Sequence, residues 1–155
     1  MRSEKTKIVL IRGAGEMATG VAWTLHKAGF RVVMTETEEP RAIRRAVAFS
    51  EAVYAGAHAV EGVTARRAAT LSDVRRAWRR GEIPVVVDPK ADIRRTLKPH
   101  VVVDATLRKR GHDTRRSDAP LVIGLGPGFR AGKNCHAAIE TNRGHDLGRV
   151  LWKGA

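Results

Sequence analysis

Apolar residues along the first 36 positions follow a strand pattern, then a helix pattern, then a strand pattern again. Residues 7–12, which contain four consecutive apolar residues at 8–11, predict a buried parallel strand that ends at a glycine-rich segment. From Glu16 onwards, apolar residues recur at helical spacing until Gly29, a typical residue just beyond a helix end. A second apolar run at residues 30–36 predicts another strand. This order of elements indicates the beginning of a doubly wound α/β fold.

The next segment predicts a second helix and a hairpin. Pro40 suits the first turn of a helix, which we expect to cover residues 40–49. This helix either extends to about Tyr54 or is followed by another short turn that reaches Tyr54. Residues 58–68 predict a small hairpin with its turn at Gly62. The segment between Glu36, at the end of the second strand, and the next apolar run, which begins at Ile83, is too long for one plain crossover, so we expect an inserted sub-lobe.

The second half of the chain is rich in predicted strands. A helix is predicted at residues 74–80, and three apolar runs without alternation predict strands at 83–88, 101–105 and 121–124. Two further segments, 136–141 and 149–152, can pair as a C-terminal hairpin across residues 142–144. We therefore predict a Rossmann-like α/β fold, with a mostly parallel sheet flanked by helices. It forms a single domain over residues 1–155, with a hairpin or sub-lobe inserted at about residues 40–82 and a β-hairpin at the C-terminus.

Composition narrows the classes of protein that remain. The chain has 155 residues and 43% hydrophobic content, enough to build a core. Its one cysteine, Cys135, excludes an internal disulfide framework and favours a reducing compartment. No apolar run approaches the roughly 18 residues of a membrane span. We expect a cytoplasmic protein without a membrane partner.

The net charge of +13 suggests an anionic partner. The basic residues are distributed in pairs along the whole chain, and aromatic residues make up only 5% of it. A nucleic-acid-binding surface would need a concentrated basic patch or stacking aromatic side chains, so nucleic acid is disfavoured. A phosphate-bearing small molecule would satisfy the same charge, and an arginine-rich but solvated surface is the alternative interpretation.

The first glycine loop, residues 13–18, matches the G-x-G-x-x-G/A pattern of dinucleotide-binding proteins, and an acid follows 21 residues after its second glycine. Glycines allow a tight turn and the close approach of a pyrophosphate, while the helix N-terminus attracts the anion. The acid in the first helical turn would repel a phosphate, and a tight turn without a ligand is the alternative. The candidate residues are Gly13, Ala14, Gly15, Glu16, Met17 and Glu36.

The second glycine loop, residues 124–133, follows a predicted strand but has the wrong spacing for a Walker A motif. Its backbone N–H groups can form an anion-binding nest, for which we select Gly126, Gly128 and Arg130. A glycine-rich turn required only by geometry is an equally good interpretation.

Catalytic groupings are sparse in this sequence. His136, Glu140 and His145 lack the spacing of a familiar metal set, so we predict no metal ligands. Asp88 and Asp104 each end an apolar strand, where an acid either faces a ligand crevice or caps the next turn. No nucleophile–base pair stands out, and the catalytic residues are left unassigned.

Three segments together resemble one family: IRGAGEMATGVAWTLHKAGFRVVMTE, EEPRAIRRAVAFSEAVYAG and APLVIGLGPGFRAGKNCHAAIETNRGHDLGRV. They are similar to the YqeB family, accessory proteins of the selenium-dependent molybdenum hydroxylase system, and more distantly to XdhC-type molybdenum cofactor chaperones. The combination of GAGEMATG, GLGPGF and ETNRGH carries the resemblance.

The resemblance implies a Rossmann-like maturation protein that binds the molybdenum cofactor or a nucleotide. Its expected partner is a molybdenum hydroxylase or another maturation factor, and a homodimer is the default oligomer. Family members tend to be longer, so the chain is expected to be a short form or a fragment. The alternatives are an NAD-dependent oxidoreductase, which would share the first glycine loop, and a basic nucleic-acid-binding protein.

Overall fold

The computed structural model describes residues 6–154, and its strands form one nine-stranded sheet. The strands are β1 (Ile8–Arg12), β2 (Arg31–Glu36), β3 (Ala57–Val60), β4 (Val63–Ala68), β5 (Ile83–Val87), β6 (Val101–Asp104), β7 (Leu121–Leu125), β8 (Ala137–Ile139) and β9 (Val150–Leu151). The helices are α1 (Glu16–Lys27), α2 (Glu51–Ala55), α3 (Leu71–Arg79) and α4 (Arg94–Leu97), with 3₁₀ turns at Arg45–Val47 and Arg116–Asp118.

The strand order is β3-β4-β5-β2-β1-β6-β7-β8-β9, and the predicted α/β fold class is confirmed. Strand β1 lies between β2 and β6 and is parallel to both. Strands β2 to β5 therefore lie on one side of β1 in the sheet, and β6 to β9 lie on the other side, which is the order of a Rossmann-like sheet. In such sheets the ligand crevice lies where the order reverses, beyond the carboxyl ends of the strands.

Both predicted hairpins are confirmed, and both extend this sheet. Strands β3 and β4 are antiparallel, and β4 continues the sheet by pairing in parallel with β5. The inserted segment at residues 40–82 thus contributes two strands to the main sheet. At the other edge β9 pairs antiparallel with β8, across a longer connection than the predicted three-residue turn.

Alternating side chains divide the core between the two faces of the sheet. On β1, Val9 and Ile11 pack on the face that α1 and α2 cover, together with the fully buried Phe49. Leu10 points to the opposite face, where Val74 of α3 packs. The strands are apolar on both sides because helices cover both faces, as the lack of alternation predicted.

The helix predicted over residues 40–49 is wrong, whereas the alternative of a separate short turn through Tyr54 agrees with α2 (Glu51–Ala55). The segment instead contains a 3₁₀ turn at Arg45–Val47 and the short α2. Its polar groups make contacts outside a helical ladder: the Phe49 N–H donates to Thr19 Oγ1 at 2.9 Å, and Tyr54 Oη donates to the Pro40 carbonyl at 2.9 Å. These tertiary contacts outweigh the local helix preference.

Two further features complete the fold. Helix α3 begins with a capping box, in which Thr70 accepts from the Asp73 N–H and the Asp73 carboxylate accepts from the Thr70 N–H. Helix α4 was not predicted from the sequence. Within residues 6–154, no helix has the length and apolar character needed to cross a membrane.

Candidate functional site

A cleft of about 280 Å³ lies at the carboxyl ends of β1 and β6. The first glycine loop forms one side of it, the end of β2 forms a second, and residues 105–108 after β6 close it. Five of the predicted residues line this one cleft: Gly13, Gly15, Glu16, Met17 and Glu36. The sixth, Ala14, is buried between them.

The two glycines of the first loop are required for different reasons. Gly13 has φ +98°, and a Cβ there would lie 3.0 Å from the Ala105 carbonyl oxygen, so the fold itself demands glycine. Gly15 has φ −72° and ψ −167°, which any residue adopts. A Cβ on Gly15 would meet no atom within 4 Å. Packing therefore does not require a glycine at position 15, and the absence of a side chain there leaves open space beside the cleft.

Helix α1 begins at this open space without a side-chain cap. Gly15 is its N-cap residue and offers no capping oxygen. The first N–H groups of a helix have no partner within the helix, and together with the aligned peptide dipoles they create a partial positive charge. An uncapped N-terminus facing a cleft is a suitable anion-binding surface.

Glu36, the acid selected by its spacing from the first glycine loop, lies at the end of β2. One of its carboxylate oxygens accepts from the Ala14 N–H at 2.9 Å and the other accepts from the Thr37 N–H at 2.7 Å. Glu36 thus holds the first glycine loop in place. Each carboxylate oxygen has a further lone pair, so the same group can still accept from a ligand hydroxyl.

The negative charge of Glu16 is paired with the guanidinium group of Arg44. Its carboxylate accepts from the Arg44 N–H at 3.1 Å and from Arg44 Nε at 2.8 Å. These two hydrogen bonds, with the Arg44 charge, hold the Glu16 pKa below its ordinary value. The repulsion of phosphate expected from the sequence is therefore offset by Arg44, which the sequence analysis did not select.

Two arginines add positive charge to the cleft. Arg41 comes from the irregular segment after β2, and Arg108 comes from the segment after β6. Both are exposed, and no carboxylate among residues 6–154 lies within 4 Å of either guanidinium. Neither arginine is predictable from the sequence, because both lie on irregular segments whose path no periodicity reveals.

A buried polar network lies next to the cleft and connects the ends of β1 and β6. Arg12 is 3% exposed; its Nη1 donates to Thr114 Oγ1 at 2.8 Å and pairs with Asp113 at 2.7 Å. Asp104 is 1% exposed and accepts from Thr114 Oγ1 at 2.6 Å and from the Thr106 N–H at 3.1 Å. Asp104 therefore caps the turn after β6 and joins it to β1. The Arg12 charge and hydrogen bond outweigh the effect of burial and lower the pKa of Asp113.

The second glycine loop lies beside a separate cavity of about 150 Å³, which Gly126 and Gly128 line. Both have positive φ, and a Cβ on Gly128 would lie 2.6 Å from the His112 ring. His112 also approaches the Pro127 carbonyl at 3.0 Å. Packing of His112 thus accounts for Gly128, and the anion nest stays a prediction. The Arg130 N–H donates to Asn134 Oδ1 at 2.9 Å, within the loop itself.

Three of the remaining polar candidates, His136, Glu140 and Asp88, have structural partners. His136 Nδ1 accepts from the Val122 N–H at 2.8 Å, which fixes β7 against β8. Glu140 accepts from the N–H groups of Thr141 and Asn142. Asp88 accepts from the Ile93 N–H at 2.8 Å and so caps the turn before α4.

Comparison with known proteins identifies a relative for nearly the whole chain. The chain is 53% identical over 148 residues to the Escherichia coli (strain K12) protein named Uncharacterized protein YqeB. The match covers 96% of this chain and 27% of that relative, so the chain spans 27% of the relative's length. No protein-family model and no solved structure matches the chain. The extent and identity of the match support the YqeB family, the one that the glycine loops and the ETNRGH segment resemble.

Proposed function

We propose that this chain is a binding and delivery protein in the maturation of selenium-dependent molybdenum hydroxylases. It holds a phosphate-bearing nucleotide or the molybdenum cofactor at the first glycine loop. The observation that carries the proposal is the open space at Gly15, beside an uncapped helix N-terminus, in a cleft where the strand order reverses.

The cleft suits an anion with more than one charged group. The N-terminus of α1 would receive one phosphate, because Gly15, Glu16 and Met17 line the cleft and the first N–H groups of a helix have no partner within it. Arg41 and Arg108 would contact further phosphate oxygens, and an arginine near the end of the second strand suits an additional phosphate. Glu36 would accept from a hydroxyl or an N–H group of the ligand.

The molybdenum cofactor is a pterin phosphate, and as cargo of a maturation protein it is compatible with these residues. Its phosphate matches the helix N-terminus, and the pterin offers N–H donors for the free lone pairs of Glu36. The cleft volume of about 280 Å³ is slightly smaller than the range of small-molecule sites, which measure about 300–1,000 Å³. One end of such a ligand would therefore extend beyond the cleft, where an acceptor protein can reach it.

The side chains at the cleft favour binding over catalysis. Among the described residues that line it, none is a His, Cys, Lys, Tyr or Ser. Its two carboxylates, Glu16 and Glu36, already accept two hydrogen bonds each. A catalytic set of His, Lys or Tyr, which an oxidoreductase would use for proton transfer, is not among these lining residues, so the NAD-dependent oxidoreductase is the weaker candidate.

A thermal-shift titration tests the proposal, with NAD, NADP, ADP, CTP and isolated molybdenum cofactor as ligands. A ligand at 100 times its Kd adds roughly 2.7 kcal/mol of stability, a readily measured shift. We expect a phosphate-bearing ligand to stabilise the protein and Gly15→Val to abolish that stabilisation, because the side chain fills the open space. Gly20→Val is the matched control, since Gly20 also has free space around it but lies outside the cleft.

Two outcomes would contradict the proposal. Equal stabilisation of the parent and of Gly15→Val would place the ligand elsewhere, and no shift with any ligand would leave the cleft without a binding role. A shift with NAD alone, together with turnover of a reduced or oxidised substrate, would establish the oxidoreductase instead.

A further inference from the structure

A third cavity, of about 460 Å³, lies at the opposite end of the sheet from the glycine loops. It borders the amino-terminal ends of the two central strands, at Ile8 of β1 and Arg31 of β2. Helix α3 and the end of α4 form its other walls. None of its lining residues belongs to the glycine-loop cleft, so it is an independent candidate site.

Three arginines from two elements line this cavity. Arg31 begins β2, while Arg75 and Arg79 lie one turn apart on the same side of α3. Trp78 completes the wall, and its indole Nε1 donates to the Val32 carbonyl at 2.9 Å, which fixes the ring. The Arg31 guanidinium lies 5.8 Å from the centroid of that ring.

These arginines lack the carboxylate partners that neighbouring arginines have. Within residues 6–154, no Asp or Glu oxygen lies within 4 Å of Arg31, Arg75 or Arg79. Three arginines of neighbouring segments are paired, Arg76 with Asp73, Arg66 with Glu82 and Arg94 with Asp118, whereas Arg80, just after α3, has no carboxylate oxygen of residues 6–154 within 4 Å. Unpaired positive charge is therefore concentrated on one concave surface.

This concentration is unfavourable for the protein alone. Like charges four residues apart on a helix destabilise it, and Arg75 and Arg79 are such a pair. Guanidinium groups form paired hydrogen bonds with phosphate oxygens, so a phosphate-bearing molecule would remove the repulsion. Ile8, Leu97 and the Trp78 ring add apolar contact surface that an inorganic ion would not use.

We propose that this cavity binds an organic diphosphate at a site separate from the first glycine loop. A diphosphate ester carries roughly three negative charges, which match the three guanidinium groups. The organic part packs on the apolar surface beside Trp78. A concave site with a single aromatic ring suits a small molecule, whereas single-stranded nucleic acid is held by several stacking rings along an open groove.

The test is calorimetric titration with ADP and with inorganic pyrophosphate, carried out in the Gly15→Val background so that the first site does not contribute. The double variant Arg75→Gln/Arg79→Gln removes two charges from the cavity. The matched control is Arg76→Gln/Arg80→Gln, which removes the same charge from the same stretch of chain at positions outside the cavity.

We expect the ADP affinity to fall by about tenfold or more in the cavity variant, because two charge-assisted contacts are lost. The control should change it by less than about twofold, which is the effect of long-range charge alone under salt screening. ADP should also shift the indole N–H signal of Trp78 in the NMR spectrum, and pyrophosphate should bind more weakly than ADP.

Four results would overturn the proposal. An equal loss in the two double variants would mean unspecific attraction, and an absence of ADP binding would leave the arginines solvated. Pyrophosphate that binds as tightly as ADP would remove the role of the organic part. Preferred, strongly salt-dependent binding of a single-stranded oligonucleotide would make the surface a nucleic-acid site.

Discussion

Replacing Gly15 by serine should make the protein more stable while weakening its proposed ligand binding. The backbone at this position, φ −72° and ψ −167°, is the extended conformation typical of helix N-cap residues. A serine hydroxyl there would accept from one of the free N–H groups in the first turn of α1. It would enter open space, since no atom lies within 4 Å of the position that a Cβ would take.

The magnitude follows from two contributions. Removing glycine from the unfolded chain gains about 0.4–1 kcal/mol at a compatible backbone position, and serine is better than glycine as an N-cap by a few tenths of a kcal/mol. The free energy of unfolding should therefore rise by about 1 kcal/mol, and the Tm by about 2–4 °C for a chain of this size. The hydroxyl occupies N–H groups that a phosphate needs, so the ligand-induced shift should shrink.

Gly13→Ala is the contrasting variant in the same loop. Its positive φ and the 3.0 Å approach to the Ala105 carbonyl should lower the free energy of unfolding by about 2 kcal/mol. Urea unfolding followed by circular dichroism measures both variants. If Gly15→Ser proved as destabilising as Gly13→Ala, or bound ligand as the parent does, the assignment of open space at Gly15 to a ligand would be refuted.

Two further predictions concern the core and the surface. Phe49→Ala should lower the free energy of unfolding by about 3–5 kcal/mol, since Phe49 is 0% exposed and its loss leaves a cavity; a loss below about 1 kcal/mol in urea unfolding would contradict that packing. The hydrogen bond from Arg66, together with the Arg66 charge, lowers the pKa of Glu82 in the folded protein. The pair therefore stabilises the fold at pH values above the unfolded-state pKa of Glu82, and this stabilisation is lost as the pH falls through the folded-state pKa. The stability difference between the parent and Arg66→Gln should thus shrink toward acid pH, and a difference independent of pH would exclude the pair as its cause.

The fold was largely predictable because burial on both faces leaves an unambiguous apolar signal. Strands such as β1 and β6 are apolar up to their last residues, Arg12 and Asp104, and the glycine-rich segment after β1 marks the turn into α1. The segment between β2 and α2 was not predictable. Its conformation depends on partners distant in sequence, such as Thr19 for Phe49 and Glu16 for Arg44, which lie 30 and 28 residues away.

The candidate site was predictable only where it follows a local pattern. Gly13, Gly15 and Glu36 were selected by their spacing, and the structure brings them to one cleft. Arg41 and Arg108 carry no such spacing, since each reaches the cleft from an irregular segment. The second glycine loop is also conspicuous in the sequence, but packing explains one of its glycines: His112 lies where a side chain on Gly128 would be.

The buried contact between Arg12 and the segment after β6 also constrains how relatives of this protein can diverge. Removing one member of a buried charged network leaves its partners unsatisfied, whereas replacing the whole group by apolar side chains of similar volume is often neutral. Arg12 and Thr114 are 102 positions apart in the chain but share one hydrogen bond. Substitutions at these two positions, and at Asp104 that accepts from Thr114, are therefore expected to arise together during evolution rather than one at a time.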